Sequence, residues 1–171
     1  PLRPSLLQRL ETASGCIETA PELFMSALAE LQSLALAEMD ATSLMLIGRR
    51  DIRSNNSWMH NAPRLVKGKP RHQLLMHIDD LKQRGLADGS MVLVHSENGQ
   101  ITTEVKASDA VMPGVVCLPH GFGHQRVGLS MQQAEKIQGA SYNDLTSIKA
   151  LDGPSGNAAL NGVRVWVDAL D

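Results

Sequence analysis

Ile101-Thr102-Thr103-Glu104-Val105-Lys106-Ala107 alternates residue by residue, with Ile101, Thr103, Val105 and Ala107 on one side and Thr102, Glu104 and Lys106 on the other. That period of two belongs to a strand with one buried face. Upstream, Met91-Val92-Leu93-Val94-His95 reads as a second strand. Asn98-Gly99 predicts a two-residue hairpin between them, because both residues accept positive φ. Downstream, Pro113-Gly114 marks a turn, and Val115-Val116-Cys117-Leu118 is a strand closed by Pro119. Farther out, Leu44-Met45-Leu46-Ile47 is a short buried strand ended by Gly48, and Gln73-Leu74-Leu75-Met76 is another. Residues 162–167 form the last, with Val163, Val165 and Val167 facing one way. Ile78 to Arg84 reads as a short helix stopped by Gly85 in a left-handed cap. Short strands, long loops and little helix predict a mainly β fold, a small barrel or similar closed sheet.

The N-terminal part differs. Residues 1–18 read as an irregular arm with Pro1, Pro4 and Gly15. Thr19-Ala20-Pro21-Glu22 has the form of a capping box with Thr19 at the N-cap. Leu23, Ala27, Leu28, Leu31, Leu34 and Ala35 then recur at helical spacing. The expected division is an arm and helix over 1–41, linking to missing upstream domains, and a barrel over 42–171. The chain starts without Met, so it is expected to be a piece of something longer whose body covers the helix stripe.

The 171 residues favour one domain with an attached arm. Hydrophobic residues reach 43% but aromatics only 3%, so the core must be aliphatic. The formal net charge of -2 gives no basic excess for nucleic acid. Arg49, Arg50, Arg53, Arg64, Lys67, Lys69 and Arg71 cluster in one polar stretch, which suits a small anion better than a polymer. Cys16 and Cys117 read as free thiols. No run approaches the roughly 18 apolar residues of a membrane span, and no signal peptide is visible. The expected compartment is therefore the cytoplasm.

Three stretches go further in combination. The first is Ile47-Gly48-Arg49-Arg50 with Arg53-Ser54-Asn55-Asn56-Ser57-Trp58-Met59-His60-Asn61. The second is Leu86-Ala87-Asp88-Gly89-Ser90, followed after the hairpin by Val111-Met112-Pro113-Gly114-Val115-Val116-Cys117-Leu118-Pro119-His120-Gly121-Phe122-Gly123-His124. The third is Asn143-Asp144-Leu145-Thr146, then Gly156-Asn157-Ala158-Ala159-Leu160-Asn161-Gly162. In this order they resemble the C-terminal molybdopterin dinucleotide-binding domain of the dimethyl-sulfoxide-reductase superfamily, which includes formate dehydrogenases and nitrate reductases. The likeness runs from about residue 44 to about 167. It implies a double-psi β-barrel of the aspartate-decarboxylase-like kind. It also implies a molybdopterin guanine dinucleotide cofactor, carrying molybdenum or tungsten and clamped jointly with an upstream domain.

The residues make physical sense in that role. Gly121 and Gly123 would let backbone amides approach a pyrophosphate. Arg49 and Arg50, beside Gly48 at the strand end, would make charge-assisted bonds to phosphate or pterin. Ser54, Asn55, Asn56 and Ser57 offer the donors and acceptors that a pterin edge requires. Asp144 would accept from a guanine N–H pair, with Asn143 and Asn157 donating and accepting nearby. His120 and His124 are expected to hydrogen-bond the cofactor. No catalytic residue and no metal ligand are expected here, since the family's metal ligand belongs to an earlier domain. The chain alone would not be an enzyme. Expected partners are the upstream domains, an electron-transfer subunit and, for the isolated chain, a second copy docked through the N-terminal helix. Formate is the first substrate expected, from family frequency.

Other readings compete. Gly89-Ser90 is the kind of bond that pyruvoyl decarboxylases on this barrel cleave, but any small polar residue suffices in a turn. A protein-recognition barrel would share the architecture. His120 and His124 are four apart, yet Gly121 and Gly123 argue against the helix that metal chelation would need. Arg64, Lys67 and Lys69 read as a solvated face, and Trp58 as a packing residue.

Overall fold

Leu46, Leu74, Met76, Val92, Val94, Val105, Val116, Leu118 and Val165 are wholly excluded from solvent, and together they line the inside of a closed barrel. The computed structural model describes residues 3–35 and 40–170. These divide into two compact units: Pro1–Glu38 with Asp152–Gly156, and Met39–Leu151 with Asn157–Asp171.

In the first unit, helix α1 spans Glu22–Ala35. It starts later than a Thr19 cap predicts. The backbone N–H groups of Phe24 and Met25 donate to the Pro21 carbonyl, at 3.0 and 3.1 Å. Proline disfavours helical geometry in the residue before it, so Ala20 cannot belong to the first turn and Thr19 is left outside. Leu23, Phe24, Met25, Leu28 and Leu31 are all exposed. The side chains of Leu34 and Ala35 lie outside the described residues. The arm is not wholly irregular, because Leu7–Arg9 makes one 3-10 turn.

The second unit is the barrel. Its strands are β1 (Leu44–Arg49), β2 (Gln73–Met76), β3 (Met91–His95), β4 (Gln100–Ala107), β5 (Val115–Pro119) and β6 (Val163–Ala169). Helix α2 (Pro63–Val66) lies before β2, and helix α3 (Ile78–Gln83) follows it. The strands close in the order β1-β5-β2-β4-β3-β6. The β1–β5 and β2–β4 pairs are parallel and the others antiparallel. This is the double-psi β-barrel. The alternation in β4 holds: Ile101, Thr103 and Val105 are buried while Thr102 and Lys106 are exposed. Gly85 ends the turn after α3 at φ +65°, as a left-handed cap requires.

Two features were not legible. Tyr142 and Leu145 are fully buried core residues, although they stand in the aperiodic stretch before β6. The β3–β4 turn is also built differently from the hairpin that Asn98-Gly99 predicts. Neither residue has positive φ. His95 pairs with Gln100, and the Ser96 N–H donates to the Gly99 carbonyl at 2.9 Å, which centres the turn on Glu97 and Asn98. The Ser96 hydroxyl accepts from the N–H groups of Asn98 and Gly99 and donates to the Leu145 carbonyl. Residue 99 is glycine for room, because a Cβ there would overlap the Asp144 carbonyl oxygen. Gly99→Ala should therefore destabilise the barrel by about 1–3 kcal/mol in urea unfolding. Gly153→Ala, in open space at ordinary φ, should change stability by less than about 0.5 kcal/mol. Equal effects would show that crowding by Asp144 is not what fixes Gly99.

Candidate functional site

Arg49 stands opposite Pro119 in the parallel β1–β5 pair, so both strands release the chain at the same end of the barrel. The loops beginning at residues 50 and 120 consequently lie side by side. Gly121, at φ +93°, seats one on the other: a Cβ there would overlap the Asn56 carbonyl and lie 2.7 Å from the Ser57 nitrogen. Gly123, at φ +99°, presses on Ser141, whose Cβ would be 2.8 Å from an added Cβ. Gly48 has no side chain because the His120 ring fills that space. The sequence reading gave Gly121 and Gly123 to ligand approach. In the structure the space beside each is taken by the protein's own backbone, so the glycines bring the loops together.

The 50–57 loop is held from below and bare at its tip. The N–H groups of Ser54 and Asn55 both donate to the Asp51 carbonyl, and the buried Ser54 hydroxyl donates to it as well. Asn55 and Asn56 follow at φ +44° and +59°, consecutive left-handed residues other than glycine. Asparagine tolerates that conformation best among such residues, at a cost on the order of 1 kcal/mol. Both side chains are exposed, and half-buried Ser57 leads into the 3-10 turn Trp58–Asn61. A cavity of about 540 Å³ opens here, lined by Arg50, Asp51, Asn55, Asn56, Met59 and Leu65.

The two adjacent arginines separate. The Arg49 guanidinium donates to the Cys117 carbonyl at 2.6 Å, the Gln73 carbonyl at 2.7 Å and the Arg71 carbonyl at 3.3 Å. It braces β1, β5 and β2 internally, where the sequence reading had it meeting phosphate or pterin. Arg50 is exposed and has no hydrogen bond or ion pair among the described residues.

The histidines are not the pair that their spacing suggests. His120 stacks against Tyr142, with ring centres 4.0 Å apart. His124 instead meets His60, Nε2 to Nδ1, at 2.7 Å. His60 is buried and tilts against Phe122, whose other side meets His72. Burial pushes the pKa values of His60 and His120 down, and the charge of Arg50 adds to the effect at His120. Burial raises Tyr142 to about 12, and its hydroxyl donates to the Leu160 carbonyl at 2.6 Å.

In the third stretch, Asp144 pairs with Arg126, and exposed Asn143 uses its carbonyl to receive the Thr146 N–H and hydroxyl. Asn157 is exposed beside the isolated Leu151–Ala158 bridge. Three contributors were missed. His60 stood inside the quoted Asn55-Asn56-Ser57-Trp58-Met59-His60 run and could have been chosen from it. Asn161, which accepts the Gly48 N–H on its Oδ1 at 2.7 Å, likewise stood inside the third stretch, whereas Arg126, which holds Asp144, had no local signal. Among the described residues, no three or more His, Cys, Asp or Glu side chains gather into a potential metal site. No helix among them is long and apolar enough to cross a membrane.

With this geometry in place, similarity to known proteins decides the family. Residues 44–164 match the family described as "Molydopterin dinucleotide binding domain". The chain belongs to that family. A 47-residue stretch, 28% of this chain, is 55% identical to the dimethyl sulfoxide/trimethylamine N-oxide reductase of Rhodobacter capsulatus and covers 6% of that protein. Over 121 residues, 68% of the chain, the protein is 29% identical to the molybdopterin-containing subunit of the arsenate respiratory reductase of Chrysiogenes arsenatis, covering 14% of that protein. The domain thus spans a small fraction of these relatives' length. Acetylene hydratase from Pelobacter acetylenicus shares the fold, with a TM-score of 0.63 at 20% identity over 74% of this chain and 18% of that one.

The residues present fit a molybdopterin guanine dinucleotide. An unpaired guanidinium, two exposed amide side chains and the cavity that they line supply charge and both hydrogen-bonding senses to a polyanionic ligand.

Beside the site, His72 is buried, with Nε2 2.9 Å from the Ala140 carbonyl and Nδ1 3.1 Å from the Thr103 hydroxyl. Burial holds its pKa down at about 4. The unfolded chain takes up that proton near pH 6.5 and the folded one does not. Stability should therefore be full above about pH 6.5 and fall towards pH 4, on the order of 3 kcal/mol from this group. His72→Gln should make that fall shallower in urea titrations run at several pH values. An unchanged slope would mean that His72 is charged in the fold.

Proposed function

We propose that this domain closes the cofactor chamber of a larger molybdenum oxidoreductase, holding the dinucleotide at the loops after β1 and β5 while upstream domains of the same polypeptide complete the chamber. The observation that carries this reading is Arg50, unpaired among the described residues, beside the left-handed Asn55-Asn56 tip in a cavity lined by the segment after β1. In the proposed complex Arg50 meets phosphate oxygens, Asn55 and Asn56 meet pterin or nucleotide edges, and Asn143, Asp144 and Asn157 serve the guanine end. Ser57, His120 and His124 complete the polar wall. When bound, the metal-bearing cofactor supplies the redox chemistry, and this chain contributes binding and orientation.

The substrate belongs to the missing domains. The relatives carry the names of sulfoxide, N-oxide, tetrathionate and arsenate reductases, which favour reduction of an oxidised sulfur, nitrogen or arsenic compound over the formate expectation. An electron-transfer subunit would then supply the reducing equivalents.

The adjacent arginines give the test. In the parent enzyme, Arg50→Leu should lower molybdenum and guanine nucleotide content per chain about tenfold or more while leaving thermal stability close to wild type. Asn56→Gly, which relieves the positive φ as it removes the amide, should likewise lose cofactor without losing stability. Arg49→Leu should do the reverse first, destabilising the barrel by about 2 kcal/mol or more through three unpaired carbonyls. Full cofactor content in both Arg50→Leu and Asn56→Gly would remove this loop from the binding site.

The exposed apolar face of α1 is proposed to be covered by the upstream domains, and in the isolated chain by a second copy. Sedimentation of the 171-residue chain should show dimers that Leu28→Glu converts to monomers. A wild-type monomer at tens of micromolar would rule out the second copy.

A further inference from the structure

His60 carries no role in the family reading, yet it is the most completely buried histidine of the chain, at 1% exposure. The only hydrogen bond of its side chain among the described residues links Nδ1 and His124 Nε2, at 2.7 Å. The rings meet edge to face at 87°, and Phe122 packs at 4.8 Å from the His60 ring centre. Each neutral imidazole has one N–H and one bare nitrogen, so this contact ties the two tautomers together. Either His60 donates from Nδ1 and His124 carries its proton on Nδ1, or His124 donates from Nε2 and presents a bare Nδ1.

The surroundings favour the first arrangement. His60 Nε2 has no acceptor among the described residues, and His60 lines a cavity of about 230 Å³ whose charged lining is Lys69, Arg71 and Lys136. Arg71 is tied to Asp51 and the two lysines are exposed, so desolvation decides: an N–H buried without an acceptor is disfavoured, and Nε2 is the bare nitrogen. The ring's proton then belongs on Nδ1, in the bond to His124. His124 is left with an Nδ1–H that no group of the described protein accepts. It stands one residue past Gly123 in the loop that packs on Asn56 and Ser57, the wall assigned above to the dinucleotide.

We propose that His60 is a positioning residue that fixes His124 as an Nδ1–H donor to the pyrophosphate of the dinucleotide. The donor sense is what matters: a bare imidazole nitrogen facing an anion would repel it, and an N–H attracts it. Burial disfavours a cationic ring at His60, so its side of the contact stays a neutral imidazole with one N–H. The target of the donor rests on the site reading given under Proposed function, whereas the tautomer coupling does not.

The test separates the two. In the ¹⁵N-labelled 171-residue chain, held above the ordinary imidazole range of pH, long-range ¹H–¹⁵N spectra should show His124 protonated at Nδ1 and bare at Nε2, with His60 protonated at Nδ1. His60→Asn, whose amide nitrogen replaces Nδ1–H, should preserve the His124 tautomer, and His60→Leu should let it revert to the mixture of a free imidazole. A His124 protonated at Nε2 overturns the proposal, as does a His124 spectrum unmoved by His60→Leu in a folded variant. Guanosine diphosphate is the ligand probe. Its affinity should fall about tenfold in His60→Leu and recover in His60→Asn. Equal affinity in wild type and His60→Leu would overturn the pyrophosphate assignment. No binding to wild type, with the expected tautomers present, would overturn the site reading and with it the donor's target.

Discussion

The parallel pairing of β1 with β5 is the constraint on which the rest of this structure depends. An antiparallel pair would send its following loops to opposite ends of the barrel. Here residues 50 and 120 leave together, and every contact at the site follows from that. The pair is pinned at its exit. The Arg49 guanidinium spans carbonyls of β5 and β2, Asn161 takes the Gly48 N–H, and the His120 N–H returns to the Arg49 carbonyl. These bonds satisfy backbone groups where the strand ladder ends, which would otherwise be left exposed or unpaired. A rigid rim results, on which mobile polar side chains can be held in place.

That division explains why two adjacent arginines do different things. Successive residues of a strand point to opposite sides, so Arg49 and Arg50 could never share one ligand-facing direction. Arg49 lies against the strands and is consumed there. Arg50 is the first residue beyond the strand, and its charge finds no counter-ion among the described residues. Charge clustering in the sequence marked the region but could not sort its members, because sorting needs the strand's end.

Much of the barrel was legible because one face of each strand is buried and one is not. Residues 101–107 and the three valines of β6 announced themselves by alternation alone. The misreadings arose where a residue answers to a distant neighbour. Gly99 looked like a turn residue and is instead a vacancy for the Asp144 carbonyl. Tyr142 sits in a stretch without periodicity because a single 3-10 turn, Tyr142–Leu145, drops two side chains into the core. Thr19 had the cap pattern, but Pro21 moved the helix start. At the site, the ordered motifs marked the right loops, while the pairing of His124 with His60 depended on loop packing that no spacing encodes.

The electrostatic character of the site follows from the same packing. Burial holds His60 and His120 towards their neutral forms, so they act as directional donors and acceptors, and permanent positive charge is left to Arg50. Asp144 is the exception, since Arg126 already holds it. Both partners of that pair are partly exposed, at 35% and 53%, so the bond contributes at most about 1 kcal/mol. A ligand that offers two N–H groups to one carboxylate can displace a partner held so weakly. A guanine edge has that pattern, while a simple anion does not and would be repelled by the carboxylate. In the proposed complex, the Arg126–Asp144 pair would work as a filter, shielding the acid until a ligand with the matching donor pair arrives and discriminating against phosphate alone. Selectivity of this kind would need a carboxylate that is present and only loosely occupied, and both conditions follow from its half-buried place on the Tyr142–Leu145 turn.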